Sequence, residues 1–364
     1  MTTPIASPLV LIGVGGAATI AVRGVRRAYG GSIRAIAIDT DATSSGSGDI
    51  DFALLGGNRL SGRGAGGQAG TVRAAFQDDP TFLDQRLAGT RTAVVVACLG
   101  GGTSDGATDE LLKHLHSLGI VTLVFATLPF SFEGDERLRE ARAALGPMAV
   151  HADSLVVLPL DHLVADAGED NFQTALARAV DTLASGVTLL WRMLERPGYI
   201  QLNAERLRNI ISGSGVVRFA AVSATGEGRA ATVIDKLRAS QLLAASSSAR
   251  PIRRILLGLL AGDDLLLSEV GDIAQGVRSA FGPDSSFELG TVNDESTFSG
   301  RLAAVVFLFE ESATTGGHSV SGVTPRRRNP LAVSDRFSGA EKTLWNDEDL
   351  DIPTYLRRNL TLER

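Results

Sequence analysis

Ala93-Val94-Val95-Val96-Ala97-Cys98-Leu99 runs directly into Gly100-Gly101-Gly102-Thr103. The first seven residues are apolar without alternation and rich in valine, the pattern of a strand covered on both faces of a parallel sheet. A tight strand-to-helix turn explains one or two glycines. Three in a row, followed by Thr103 and Ser104, offer backbone N–H groups to an anion. The stretch therefore reads as the carboxyl end of a parallel strand carrying a phosphate cradle, ahead of a helix expected over Thr108–Leu118.

Working outward, similar apolar runs appear at Leu9–Ile12, Ile33–Ile38, Val121–Ala126 and Ser154–Leu158, separated by helix-like segments. That alternation predicts a doubly wound α/β domain. Gly13-Val14-Gly15-Gly16-Ala17-Ala18 follows the first of these strands and is a second phosphate-type turn. Two such turns at carboxyl ends of strands imply a ligand lying across the top of the sheet. The same hexapeptide also fits G-x-G-x-x-A, with Asp39 near the place of a ribose-binding acid, so a dinucleotide-dependent oxidoreductase stays open on these residues alone. No G-x-x-x-x-G-K-[ST] sequence occurs, which excludes a P-loop enzyme.

Beyond this half, Leu176, Val180, Leu183, Val187, Leu190 and Leu194 repeat at three-to-four spacing and predict one long helix over 171–194. Strand-like runs at Val216–Val222, Ile255–Leu260, Phe287–Leu289 and Ala303–Phe309 then frame helices near Ala230–Leu242 and Ser268–Phe281, a smaller α/β domain. From Glu310 the composition turns to Ser, Thr, Gly and Pro and reads as a flexible linker. The segment Asp347–Arg358 combines an acidic cluster, the apolar anchors Leu350, Ile352, Tyr355 and Leu356, and a basic end, the make-up of a peptide that orders on a partner.

The 364 residues suffice for two domains, and 44% hydrophobic with 21% charged residues suits a globular α/β protein. A net charge of −6 provides no basic field for nucleic acid, and 5% aromatic residues give little for base stacking. The single cysteine, Cys98, leaves no disulfide framework or cysteine zinc site, and its place inside an apolar strand reads as packing. The five histidines do not cluster at metal spacing. Met1–Pro8 lacks a basic n-region and no apolar run reaches the ~18 residues of a membrane span. A cytoplasmic protein with no direct membrane span is expected.

Next after an apolar strand comes Pro129-Phe130-Ser131-Phe132-Glu133-Gly134. Together with Ile12–Gly16, Asp39-Thr40-Asp41-Ala42, Gly64-Ala65-Gly66, Gly100–Thr103 and Thr225-Gly226-Glu227-Gly228-Arg229-Ala230, it makes the chain resemble the FtsZ family of bacterial division proteins, in the tubulin superfamily. The matching pieces occur in the right order across nearly the whole chain, and the tail resembles that family's C-terminal anchor. The resemblance implies a GTP/GDP site, head-to-tail filaments in which the nucleotide joins neighbouring subunits, action at the division site, and a membrane-associated adaptor bound through Asp349–Arg358. It divides the chain into a nucleotide-binding domain (9–170), a connecting helix and turn (171–198), a C-terminal assembly domain (199–310), a linker (311–346) and a partner-binding peptide (347–364).

Carried over by position, Gly15, Gly16 and Ala17 would approach the phosphates, Gly64, Ala65 and Gly66 the γ-phosphate, and Gly101, Gly102 and Thr103 the phosphate oxygens. Asp41 and Pro129 fall within the matched segments and Ser104 directly follows one, so all three are expected beside the nucleotide. Glu133 and Arg137 match a ribose-contacting pair; an i,i+4 ion pair at a helix start is an adequate account of them by itself, and the family motif around them favours binding. Asp181 falls where the family reads guanine.

Several positions depart from the family. Ile20 and Leu160 replace asparagines that contact nucleotide. Ser104 and Asp105 replace glycine and threonine, and a carboxylate there either repels phosphate or holds a hydrated Mg²⁺. The family's hydrolytic loop reads Asn-x-Asp-x-x-Asp, and in register Gln201, Asn203 and Arg206 take those three places. Both acids are gone, which leaves Glu205 as the carboxylate in reach of a water, so slow GTP hydrolysis is expected. A cation such as Arg206 can instead stabilise phosphoryl charge. A paralogue that regulates or co-assembles with a standard division protein also fits the missing acids.

Overall fold

The computed structural model describes residues 9–29, 33–46, 48–164, 172–195, 198–244 and 250–310, with the backbone of 344–345 and 348–349. In chain order the strands are β1 (Leu9–Val14), β2 (Ala35–Asp39), β3 (Asp51–Leu54), β4 (Thr92–Cys98), β5 (Val121–Leu128), β6 (Ser154–Pro159), β7 (Gly215–Thr225), β8 (Ile252–Ala261), β9 (Ser286–Asn293) and β10 (Arg301–Glu310). The helices are α1 (Gly16–Tyr29), α2 (Gly57–Leu60), α3 (Ala69–Asp78), α4 (Asp84–Leu87), α5 (Gly102–Ser117), α6 (Asp135–His151), α7 (Leu160–Leu163), α8 (Phe172–Glu195), α9 (Ala204–Ile211), α10 (Arg229–Ala239), α11 (Leu267–Phe281) and α12 (Glu295–Phe298).

All ten strands form one sheet in the order β3-β2-β1-β4-β5-β6-β7-β10-β8-β9. It is parallel except where β10 lies antiparallel between β7 and β8. The expected α/β class and the mostly parallel sheet are thus observed. The strand order reverses between β1 and β4, and ligands of open α/β sheets bind outside the carboxyl ends of the strands at such a switch point.

Alternate residues of the fully buried β1 feed two cores. Leu9 and Leu11 pack with Val22 and Val25 of α1 and with Leu183 and Val187 of α8. Val10, Ile12 and Val14 pack with Val72 of α3, Leu111 and Leu115 of α5, and Met148 of α6. A third core joins Val233 and Leu237 of α10 and Ile273 and Val277 of α11 to β8 and β10. Helix α8, about 36 Å long at 1.5 Å per residue, presses Gly186 so closely on β7 that an added Cβ would stand 2.5 Å from the Phe219 ring. Between the two halves the sheet continues through three parallel pairs of β6 and β7, Ser154↔Gly215, Leu155↔Val216 and Val156↔Val217.

The helix expected from Thr108 begins at Gly102 instead. Gly102 and Gly106 look like loop residues by propensity, yet they sit in the helix because α3 and its entry loop crowd it. An added Cβ would come 2.7 Å from the Gly67 carbonyl carbon at Gly102, and 2.3 Å from the Ala69 carbonyl oxygen at Gly106. Residues Thr314–Arg364 form a separate unit, whose described part is a pairing of Leu344–Trp345 with Glu348–Asp349. The rest of the expected linker and of the tail peptide, including Ile352, Tyr355 and Leu356, lies outside the described residues.

Candidate nucleotide site

Four turns converge at the carboxyl ends of β1, β2 and β4. The first follows β1: Gly15 has φ of +90° and donates its N–H to the Ile38 carbonyl at 2.8 Å. A Cβ there would stand 2.8 Å from the Ser104 hydroxyl, which donates to the Val14 carbonyl at 2.5 Å. Gly15 and Ser104, 89 residues apart by their numbering, therefore lock the two glycine turns together. Gly16 and Ala17 open α1 and are exposed, leaving the N–H groups of that helix start accessible.

The second turn closes β2. Asp39 is 3% exposed; its carboxylate accepts the Thr40 N–H at 2.7 Å and the Thr103 hydroxyl at 3.2 Å. Thr40 and Thr103 share a hydroxyl hydrogen bond of 2.7 Å. Asp39 thus ties the turns from below and does not present itself to a ribose. Asp41 accepts the Thr43 hydroxyl at 2.7 Å and the Thr43 N–H at 2.8 Å, and these bonds hold its carboxyl below the ordinary carboxylate range.

The third turn, Gly64–Gly67, hangs from Thr40, whose carbonyl accepts the Gly64 N–H at 3.1 Å. Ala65 sits against Gly102, where an added Cβ would be 3.0 Å from the Ala65 Cβ. In the fourth turn Gly100 has φ of +88° and Gly101 is the extended cap of α5. Cβ atoms added at Gly66, Gly67 or Gly101 would meet nothing within 4 Å. The glycine surfaces thus frame open space above two helix starts, a shape and polarity that suit a phosphate chain.

After β5, Pro129 is buried beside Gly100. Glu133 accepts the Phe130 N–H at 2.9 Å and pairs with Arg137 at 2.8 Å. Asp161, after β6, accepts the Ser131 N–H at 3.1 Å. Asp181 is exposed on α8, next to Val180, which rests against Gly24 of α1. Ile20 is 65% exposed on α1. Asp105 turns back on its own loop: its Oδ1 accepts the Gly100 N–H at 2.9 Å. Burial pushes the Asp105 carboxyl above the ordinary range against that hydrogen bond; Glu140 adds to the rise and Arg137 opposes it. Among the described residues no three His, Cys, Asp or Glu side chains assemble as a metal set.

The residues expected to act on the phosphates lie elsewhere. Asn203 caps α9, its side chain accepting the Arg206 N–H at 2.8 Å. Arg206 is clamped by both its Nε, at 3.1 Å, and its Nη2 to Glu288 of β9, which raises its already high pKa. Glu205 pairs with Arg91 at 3.0 Å and stands 3.9 Å from Arg208. Arg91 immediately precedes β4, and a small cavity here is lined by Leu9 and Thr92, the first residues of β1 and β4. Glu205 is therefore at the amino ends of strands whose carboxyl ends carry the cradle, about 20 Å away at ~3.3 Å per residue. Sequence reasoning missed Arg91 and Glu288, which are distant in the chain and carry no local motif. Thr40, quoted only as part of a matched segment, turned out to hold the second and third turns.

Residues 26–168 match the Tubulin/FtsZ family, GTPase domain. The "Cell division protein FtsZ" of Pseudomonas putida is 27% identical over 97% of this chain and 97% of its own. An FtsZ mutant from M. jannaschii has the same fold with a TM-score of 0.76, at 22% identity over 83% of this chain and 90% of that one. CetZ2 from Haloferax volcanii, solved as a GTPγS-bound protofilament, gives 0.70 at 24% identity over 84% and 93%. The cradle at the switch point lies largely within residues 26–168, the part of the chain that matches the GTPase domain of the Tubulin/FtsZ family, a family that binds GTP and GDP.

Proposed function

We propose that this protein binds GTP on the four converging turns, assembles head to tail, and hydrolyses the nucleotide slowly. One observation carries the assembly: the cradle and the Asn203–Arg206 segment occupy opposite ends of the same parallel strands. Glu205 is too far to serve its own cradle, so a carboxylate there acts only on the nucleotide of a second copy. Such a heterologous contact, repeated without closure, gives an open filament. The CetZ2 protofilament supports this reading.

The engaged state of each candidate supports slow hydrolysis. Asn203 is used as a helix cap, Glu205 faces Arg91, and Arg206 faces Glu288. A free positioned base contributes about 10²–10⁴-fold to such a step. Glu205 orienting water and Arg206 offsetting phosphoryl charge remain the assigned roles, each requiring its ion pair to open on docking. Gly15–Ala17, Gly64–Gly66 and Gly101–Ser104 hold the phosphates, Asp41 and Pro129 shape their surroundings, Glu133 and Arg137 hold the ribose, and Asp181 reads guanine. Mg²⁺ enters with the phosphates. The protein works in the cytoplasm at the division site, and Asp349–Arg358 binds a membrane-associated adaptor. The same engaged candidates favour a second reading, a paralogue that co-assembles with a standard division protein. The buried Asp39 counts against an NAD-dependent oxidoreductase.

Sedimentation and electron microscopy with GTP, GDP and NAD, with phosphate release measured in the same samples, test the proposal. GTP-specific filaments with slow release are expected. Phosphate release as fast as that of an ordinary FtsZ, or tight NAD binding without assembly, overturns it.

A further inference from the structure

Asp105 stands in the first turn of α5, and its carboxylate already accepts the Gly100 N–H at 2.9 Å. The turn assigned to phosphate therefore carries an anion of its own. Arg137 and Glu140 of α6 act on it, and Arg137 is itself paired with Glu133 at 2.8 Å. Among the described residues, the cation that acts on Asp105 is thus shared with a second carboxylate. Burial favours the neutral form of Asp105, as expected of a charge held without a full counter-ion.

We propose that Asp105 is a built-in competitor of the phosphate chain: its carboxylate offsets the positive end of α5 and grades affinity against ligand charge. This rests on reading the Gly100–Ser104 turn as the phosphate site. The helix start offers roughly half a positive charge to an arriving anion, and one full negative charge beside it outweighs that attraction. The penalty grows with the charge of the ligand, so a triphosphate suffers most, a diphosphate less and a nucleoside none. A carboxylate that merely stapled the loop would affect all three equally, by altering the loop's shape.

Calorimetric titration of guanosine, GDP, GTPγS and inorganic tripolyphosphate into the wild type, Asp105→Asn and Asp105→Ala tests this. Asparagine keeps an acceptor for the Gly100 N–H while removing the charge; alanine removes both. Asp105→Asn is expected to bind GTPγS on the order of tenfold more tightly, GDP less so, and guanosine unchanged, with Asp105→Ala following the same gradation. Unchanged or weaker GTPγS binding by Asp105→Asn, or an equal change for guanosine and GTPγS, overturns the proposal while leaving the site reading intact. If guanine nucleotides fail to bind but tripolyphosphate binds Asp105→Asn more tightly than the wild type, the guanine reading falls and the competitor stands. Failure of every phosphate ligand to bind either protein overturns both.

Discussion

Asp105 also has a consequence for the stability of the free protein. Its folded carboxyl titrates above the ordinary value because burial disfavours the charged form. The folded state therefore holds the proton to higher pH than the unfolded chain does, and stability falls as pH rises from about 3.9, the unperturbed value, through the raised one. Asp105→Asn removes that penalty. Its melting temperature should exceed the wild type's at pH 8, with the advantage shrinking as pH falls through the raised value and largely gone by about 4; thermal melts across that range check it. At Gly106 the opposite holds, since the obstacle is the Ala69 backbone carbonyl and not a flexible side chain. Gly106→Ala should cost about 1–3 kcal/mol despite the better helix propensity of alanine, readable by denaturant unfolding. At this scale the glycine turns after β1 and β4 were legible in the sequence, because glycine at a turn is a local signal. It did not show that Asp39 faces inward, that Asp105 bonds Gly100, or that Glu288 clamps Arg206, because those partners are set by the fold.

Helix α8 illustrates what an element adds. Its apolar repeat at Leu183, Val187 and Leu190 was legible in the sequence, and those residues are buried against the sheet. The ion pair it carries was not. Arg192, buried near the end of α8, meets the buried Asp294 just beyond β9 and lies 5.4 Å over the Phe298 ring. Burial works against the Asp294 charge, yet the Ser296 and Thr297 hydroxyls and Arg192 keep its carboxyl below the ordinary range. Arg192→Leu would strip a buried carboxylate of its cation. Breaking such pairs costs about 3–5 kcal/mol, and the two remaining hydroxyls place the expected loss in a urea melt near the lower bound. The valine-rich strands were equally legible, because burial on both faces leaves an unbroken apolar run. Strand β3 was not: Asp51–Leu54 is a short edge strand with one buried residue among four. The early start of α5 was hidden for another reason, since its glycines answer to a neighbouring loop and helix.

For the whole molecule, the sheet runs unbroken from the cradle side to β9, while Thr314–Arg364 is a unit apart. Removal of Asp347–Arg364 should leave GTP-dependent sedimentation unchanged and abolish recruitment to the division site, as fluorescence microscopy of the tagged truncation would report. Retained localisation would show that the anchor lies elsewhere. Placing the cradle and Glu205 at opposite strand ends also gives the subunit a direction, and a polymer of directed subunits has two chemically different tips. In the proposed filament, a subunit damaged in its cradle should still dock through its intact opposite face, after which nothing could join its damaged one. It should therefore terminate growth from one tip and leave the other free. A subunit damaged at Asn203–Arg206 should do the reverse, so on the proposed assembly the two classes of lesion would be dominant poisons of opposite ends.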